Sequence, residues 1–152
     1  LDKLDRMRDV LPDVAYTTDV IVGFPGETDA EFEETLESCR RAEFMKIHVF
    51  PFSPRKGTPA ALYPDQVSPE IRKQRCQTLA HLERDLAFRY YQRHVGRELE
   101  VLVERTCDEH PGWVRGTDRH YMPVILPGTK ALVGELVLCR GEVPHREYLQ
   151  AE

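Results

Sequence analysis

The stretch Thr18-Asp19-Val20-Ile21-Val22-Gly23-Phe24-Pro25-Gly26-Glu27-Thr28 decides the fold. Its apolar run stops at a Gly-Phe-Pro-Gly turn, and Asp29-Ala30-Glu31-Phe32-Glu33-Glu34-Thr35-Leu36 then opens a helical pattern. Residues Ala15 to Val22 read as a strand buried on both faces, as in a parallel sheet. Asp29 to Glu43 reads as a helix, with Phe32, Leu36 and Cys39 spaced for one face. Its acidic first turn suits the positive end of the helix dipole. The carboxyl end of a strand that feeds a helix is where α/β sheets bind ligands. Glycines let a ligand approach the backbone, proline fixes the turn, and the helix start offers N–H groups. A βα turn also needs Gly and Pro for its own geometry, so a purely structural role stands beside the binding one. No Gly-Lys-Ser/Thr follows, which excludes a P-loop.

Beyond this helix, Met45 to Phe50 reads as a second strand, ending in the irregular loop Pro51-Phe52-Ser53-Pro54-Arg55-Lys56-Gly57-Thr58-Pro59. Strand, helix and strand make a βαβ unit, so both turns lie on one sheet edge. Ser53, Arg55, Lys56 and Thr58 are donors suited to a carboxylate or phosphate, and Phe50 and Phe52 add apolar surface. Two such turns on one edge point to a shared pocket. His48 is a candidate base or ligand, although a strand histidine is more often a satisfied structural residue. Ser68 then caps a long helix with Pro69 at its first position. Leu79, Leu82, Leu86 and Tyr90 trace one face to about His94, and Gly96 ends it. At the other end, residues 1–11 have a helical period that Pro12 and Asp13 break. They are uncapped and mid-helix in character, as expected of a piece of a longer protein.

The pattern changes after Gly96. Leu99, Val101 and Val103 alternate with Glu100, Leu102 and Glu104, and short strands are expected at Trp113 to Gly116, Tyr121 to Leu126 and Leu132 to Cys139. Gly112, Gly128 and Gly141 punctuate them, as in a small barrel. The expected fold class is therefore α/β plus all-β, with an α/β part over 1–92 and a β module over 93–152. Arg115-Gly116-Thr117-Asp118-Arg119-His120-Tyr121 combines groups that contact phosphates and stack on bases, though a solvated turn has the same composition.

Composition bounds these readings. The formal net charge is -5, so no global basic field is present, and the β module itself carries fewer basic than acidic residues. No apolar run approaches the roughly 20 residues of a membrane span. No signal peptide is read at the start of the sequence. Cys39, Cys76, Cys107 and Cys139 lie far apart with no CxxC pair, which excludes a local zinc or iron–sulfur motif. Scattered thiols fit a reducing, cytoplasmic compartment, and Cys39, Cys76 and Cys139 read as packing residues.

The segment from Asp19 to Thr28, followed by Phe32-Glu33-Glu34-Thr35, resembles a late barrel strand of the radical S-adenosylmethionine methylthiotransferases. His48-Val49-Phe50-Pro51-Phe52-Ser53-Pro54-Arg55-Lys56-Gly57-Thr58-Pro59-Ala60-Ala61 resembles their next strand and loop. Arg75 and Leu79 fit the helix that follows, and Gly96 to Gly141 resembles the TRAM domain. The resemblance implies the C-terminal βαβα portion of a partial TIM-like radical barrel, followed by an OB-like barrel that binds tRNA. It implies S-adenosylmethionine and two [4Fe–4S] clusters as cofactors of a parent protein, and an anticodon-loop adenosine as substrate. Ile21 and Gly23 would lie against S-adenosylmethionine, with Phe50 and Pro51 flanking its adenine. Ser53 and Arg55 would face cofactor or tRNA, and Arg115, Arg119 and Tyr121 would touch tRNA. The family's CxxxCxxC motif is missing from these 152 residues. The implied partners are therefore the amino-terminal domain and remaining barrel half of the same protein, and the isolated chain is expected to be inactive. Within the family, His48 to Ser53 most resembles the MtaB branch, which acts on threonylcarbamoyladenosine. The MiaB branch, acting on isopentenyladenosine, is next, and the ribosomal-protein branch is third. A stand-alone RNA-binding module and an unrelated α/β phosphate-ligand protein remain open as alternatives at this point.

Overall fold

The computed structural model describes residues 1–11, 13–108 and 110–152. Pro12, half of the helix break read from the sequence, lies outside them. The chain forms two compact units, Leu1–Leu86 and Ala87–Glu152.

The first unit contains α1 (Asp2–Val10), β1 (Thr17–Val22), α2 (Asp29–Ala42), β2 (Lys46–Pro51) and the start of α3 (Pro69–Gln92). β1 and β2 pair in parallel, with Asp19 opposite His48, Ile21 opposite Phe50 and Val22 opposite Pro51. α2 begins where Thr28 accepts the Glu31 N–H and the Glu31 carboxylate accepts the Thr28 N–H, a complete capping box. The Thr28 N–H and hydroxyl both donate to the Glu31 carboxylate and hold it below its ordinary range. Phe32, Leu36 and Cys39 of α2 meet Val22, Ile47, Leu79 and Leu86 in one core, with Val20 and Val49 packed against it.

That core corrects the expectation of a strand buried on both faces. α2 and α3 both cover the Val20, Val22, Ile47 and Val49 face. Thr17, Asp19 and Ile21 of β1, and Lys46, His48 and Phe50 of β2, stay exposed on the other. His48 is therefore an exposed residue rather than a packed one.

In the second unit, β3 (Glu98–Thr106), β4 (Trp113–Asp118), β5 (Pro123–Pro127), β6 (Leu136–Pro144) and β7 (Leu149–Ala151) close a barrel in the order β3-β4-β5-β7-β6. Closure removes open strand edges, which suits a unit this small. Leu99, Val101, Val103, Val114, Val124 and Leu149 point inward and are buried. The expected strand over Leu132 to Cys139 starts later, because Lys130–Leu132 form a 3₁₀ turn capped by Thr129. Tyr121 lies in the β4–β5 turn rather than in a strand. Gly141 is no turn residue but a buried strand position beside a register shift, where a Cβ would meet the His94 carbonyl oxygen at 2.5 Å.

All four cysteines are free thiols, and Cys39 and Cys139 are buried. Burial pushes the Cys139 thiol up to about 11, and the charge of Asp118 adds to the rise. Burial also raises Cys39, with Arg40 opposing it. A raised thiol pKa leaves little thiolate at pH 8. Iodoacetamide at pH 8 is expected to label Cys107 first in the folded chain, and Cys39 and Cys139 only after unfolding. Equal labelling of all four in the folded chain, read by peptide mass spectrometry, would contradict both cores.

Candidate functional site

The Gly-Phe-Pro-Gly turn leaves β1 at Val22 and is held by an ionic cluster. The Gly23 N–H donates to Glu27 Oε2 at 2.6 Å. Arg75 of α3 donates to the same carboxylate at 2.5 Å, to the Glu27 carbonyl at 3.1 Å and to Asp29 Oδ1 at 2.7 Å. Its guanidinium also stands 5.3 Å from the Phe32 ring centroid. Arg75 is only 5% exposed. Desolvation pulls its pKa down, but the bonds to Asp29 and Glu27 outweigh that and leave it raised. Gly23 sits at φ +72, and a Cβ there would lie 2.2 Å from Arg72 Cγ. Arg72 in turn donates to the Phe52 carbonyl. The turn is thus bound to the start of α3 and to the loop after β2.

The expectation of free N–H groups at this turn does not hold for several of its residues. The Gly26 N–H donates to the Asp65 carbonyl and the Glu27 N–H to the Phe24 carbonyl. The Thr28 N–H goes to Glu31 and the Glu31 N–H to Thr28. Beside the turn, the open sheet face offers a ligand apolar surface. Ile21 (58% exposed) and Phe50 (50% exposed) are cross-strand partners on the open sheet face. Pro51 follows Phe50 at the strand end, and Phe24 packs edge-on against Phe52 at 5.2 Å between centroids. This apolar end of the face could take a flat ring such as adenine. Ser53 and Arg55 lie exposed in the loop beyond it. The Arg55 side chain has no ion-pair or hydrogen-bond partner among the described residues, and Thr58 closes the loop onto the Arg55 carbonyl at 2.8 Å.

In the barrel, Arg115 is half-buried on the outer row of β4, while Arg119 and Tyr121 lie exposed in the turn that follows. Strand geometry puts Arg115 about 10 Å from the start of that turn. The sequence reading missed Arg105. A register shift in β3 sets Arg105 directly opposite Arg115. Like charges across a strand pair repel, and neither has a carboxylate partner among the described residues. Trp113 lies two residues before Arg115 on the same face. Among the described residues, no group of three or more His, Cys, Asp or Glu could hold a metal ion. No helix among them is long and apolar enough to cross a membrane.

No protein-family model matches the chain. It is 42% identical over 140 residues to the tRNA-2-methylthio-N(6)-dimethylallyladenosine synthase of Geobacillus thermodenitrificans. It is 40% identical over 139 residues to the threonylcarbamoyladenosine tRNA methylthiotransferase MtaB of Bacillus subtilis. The chain belongs to the methylthiotransferase family. The two matches cover 92% and 90% of this chain, so the likeness runs through both units. They cover only 27% and 31% of those relatives, and the chain therefore spans about a third of their length or less.

Proposed function

We propose that the chain is the C-terminal part of a cytoplasmic tRNA methylthiotransferase, with the end of a radical barrel over 1–92 and a TRAM domain over 93–152. The observation that carries this reading is one contiguous likeness, about 140 residues long, running through the α/β unit and the barrel alike. The parent protein adds a methylthio group to C2 of a hypermodified adenosine beside the tRNA anticodon. We take threonylcarbamoyladenosine as that substrate, on the motif His48 to Ser53. A second reading, dimethylallyladenosine, is favoured by the name of the Geobacillus relative.

S-adenosylmethionine and two [4Fe–4S] clusters, when bound, supply radical formation and sulfur insertion. The four scattered thiols of this chain do not fit a cluster, since no three of them converge with other ligands among the described residues. We assign the cluster ligands to the rest of the parent protein, and expect no catalysis from these 152 residues alone. The exposed pair Ile21 and Phe50 fits the cofactor's adenine, with Gly23 and Pro51 shaping the adjacent backbone. Ser53 and Arg55 donate to the cofactor's carboxylate or to a tRNA phosphate. Arg115, Arg119, Tyr121 and the added Arg105 meet tRNA.

A salt-dependent titration of the chain with an anticodon stem-loop tests the RNA assignment. Three arginine–phosphate contacts on single-stranded RNA give a log-affinity slope of about -2 against log salt, at roughly 0.7 per contact. Arg105→Ala and Arg115→Ala are each expected to flatten it by about 0.7. A slope near zero, or variants indistinguishable from wild type, would remove the barrel from the proposed interface.

A further inference from the structure

The β4–β5 turn holds a tyrosine where the backbone favours glycine. Tyr121 has φ +61, in the left-handed region that side-chain-bearing residues rarely adopt. Its ring is 80% exposed, and its hydroxyl has no hydrogen-bond partner among the described residues. The fold therefore gains nothing visible from the side chain and bears an unfavourable backbone conformation at that position.

The turn is nevertheless closely fixed. Asp118, its side chain 3% exposed, accepts the N–H groups of His120 and Met122, both at 2.8 Å on Oδ1. Its second oxygen lies 3.2 Å from His120 Nδ1. The backbone adds Tyr121 N–H to the Asp118 carbonyl at 3.0 Å and Asp118 N–H to the Met122 carbonyl at 3.1 Å. Met122 is fully buried, so the chain on the far side of Tyr121 is anchored in the barrel core. A buried carboxylate thus clamps the residues around Tyr121 and leaves its ring standing in solvent. Arg119, exposed and without an ion-pair partner among the described residues, lies two positions before it.

We propose that Tyr121 is a preorganised stacking platform for one unpaired RNA base, with Asp118 as the positioning residue and Arg119 on the neighbouring phosphate. An exposed rigid aromatic beside an arginine suits an unstacked base, because every base has a π-face and the ring loses little freedom on binding. Duplex RNA, whose bases are already stacked, gives such a platform no partner. The inference rests on the tRNA-binding reading of the barrel and adds to it the form of RNA bound and the residue that selects it.

The test uses the full 152-residue chain with two RNA probes, an anticodon stem-loop and a blunt duplex of equal phosphate number. Tyr121→Gly is expected to raise the thermal midpoint, since glycine accepts φ +61, while weakening stem-loop binding about tenfold. Duplex binding should not change. Tyr121→Phe should bind the stem-loop within about twofold of wild type, because the ring and not the hydroxyl stacks. Asp118→Ala should weaken stem-loop binding and leave duplex binding unchanged. A purely structural tyrosine would lower the thermal midpoint on going to glycine and leave stem-loop affinity alone, which overturns the proposal. Equal losses on stem-loop and duplex would overturn stacking in particular. If Arg115→Ala and Arg119→Ala weaken binding but Tyr121→Gly does not, the RNA reading stands and this inference fails. If the wild-type chain binds neither probe, both fail.

Discussion

Replacing Arg75 by methionine is expected to destabilise the α/β unit by about 3–5 kcal/mol, the range found when one partner of a buried ion pair is removed. Arg75 bridges Glu27 and Asp29, but the two carboxylates are not equivalent. The Asp29 side chain is 98% exposed and recovers its hydration easily, whereas that of Glu27 is only 13% exposed. Most of the loss is therefore the cost of leaving the Glu27 carboxylate without its cation. The Gly23 N–H shares that carboxylate, so the turn should loosen with it. Hydrogen exchange at Gly23 and along the first turn of α2 reports this locally. Arg75→Met combined with Glu27→Gln should recover part of the loss, since no buried charge is then left unpaired. A single variant with unchanged exchange at Gly23 would mean that the cluster is ornamental.

Gly116→Ala should have a comparable effect on the barrel, about 3 kcal/mol or more. A Cβ at this position would lie 2.0 Å from the Leu102 carbonyl oxygen and 2.9 Å from Val101 Cγ1. The obstacle is the backbone of the neighbouring strand, not the movable end of a side chain. β3 and β4 would have to separate, and overpacking of a tight site typically costs 1–3 kcal/mol even where side chains can shift. Trp113, the one tryptophan of the chain, lies on β4 and should report the transition by fluorescence in urea. A midpoint unchanged from wild type would show that the β3–β4 pairing is not as close as described.

Much of the first unit can be read from local sequence. Val20 to Val22 and the Gly-Phe-Pro-Gly turn mark a strand end, and Thr28 with Glu31 marks a helix start through the capping box. The Phe32, Leu36 and Cys39 spacing then places the buried face of α2. The exposed Ile21 is hidden in the same run, because three consecutive apolar residues carry no alternation to say which face is open. Arg75 is a long-range case. Its carboxylate partners lie 46 and 48 residues away, so no local pattern predicts the pair. One signal was available, however: Arg75 stands four residues before Leu79 on the apolar stripe of α3, where a charge needs a partner.

In the barrel, the alternation of Leu99, Val101 and Val103 is legible, as are the glycine-punctuated strands. β7 has only three residues, too few for a period. The Arg105–Arg115 pairing depends on a register shift within β3, and strand register is a tertiary property. Tyr121 was legible as a candidate contact, but its left-handed backbone was not. That conformation depends on the Asp118 clamp reaching forward to His120 and Met122.

The proposed tRNA methylthiolation is read from the nucleosides of the host's own tRNA. The gene that encodes the chain is disrupted in its host, and total tRNA is digested to nucleosides for liquid chromatography with mass spectrometry. The account predicts loss of the 2-methylthio form of threonylcarbamoyladenosine and accumulation of the form without methylthio, both reversed by a wild-type copy. Loss confined to the dimethylallyladenosine derivative would move the substrate to the second reading. Methylthiolated nucleosides at unchanged levels would contradict the account.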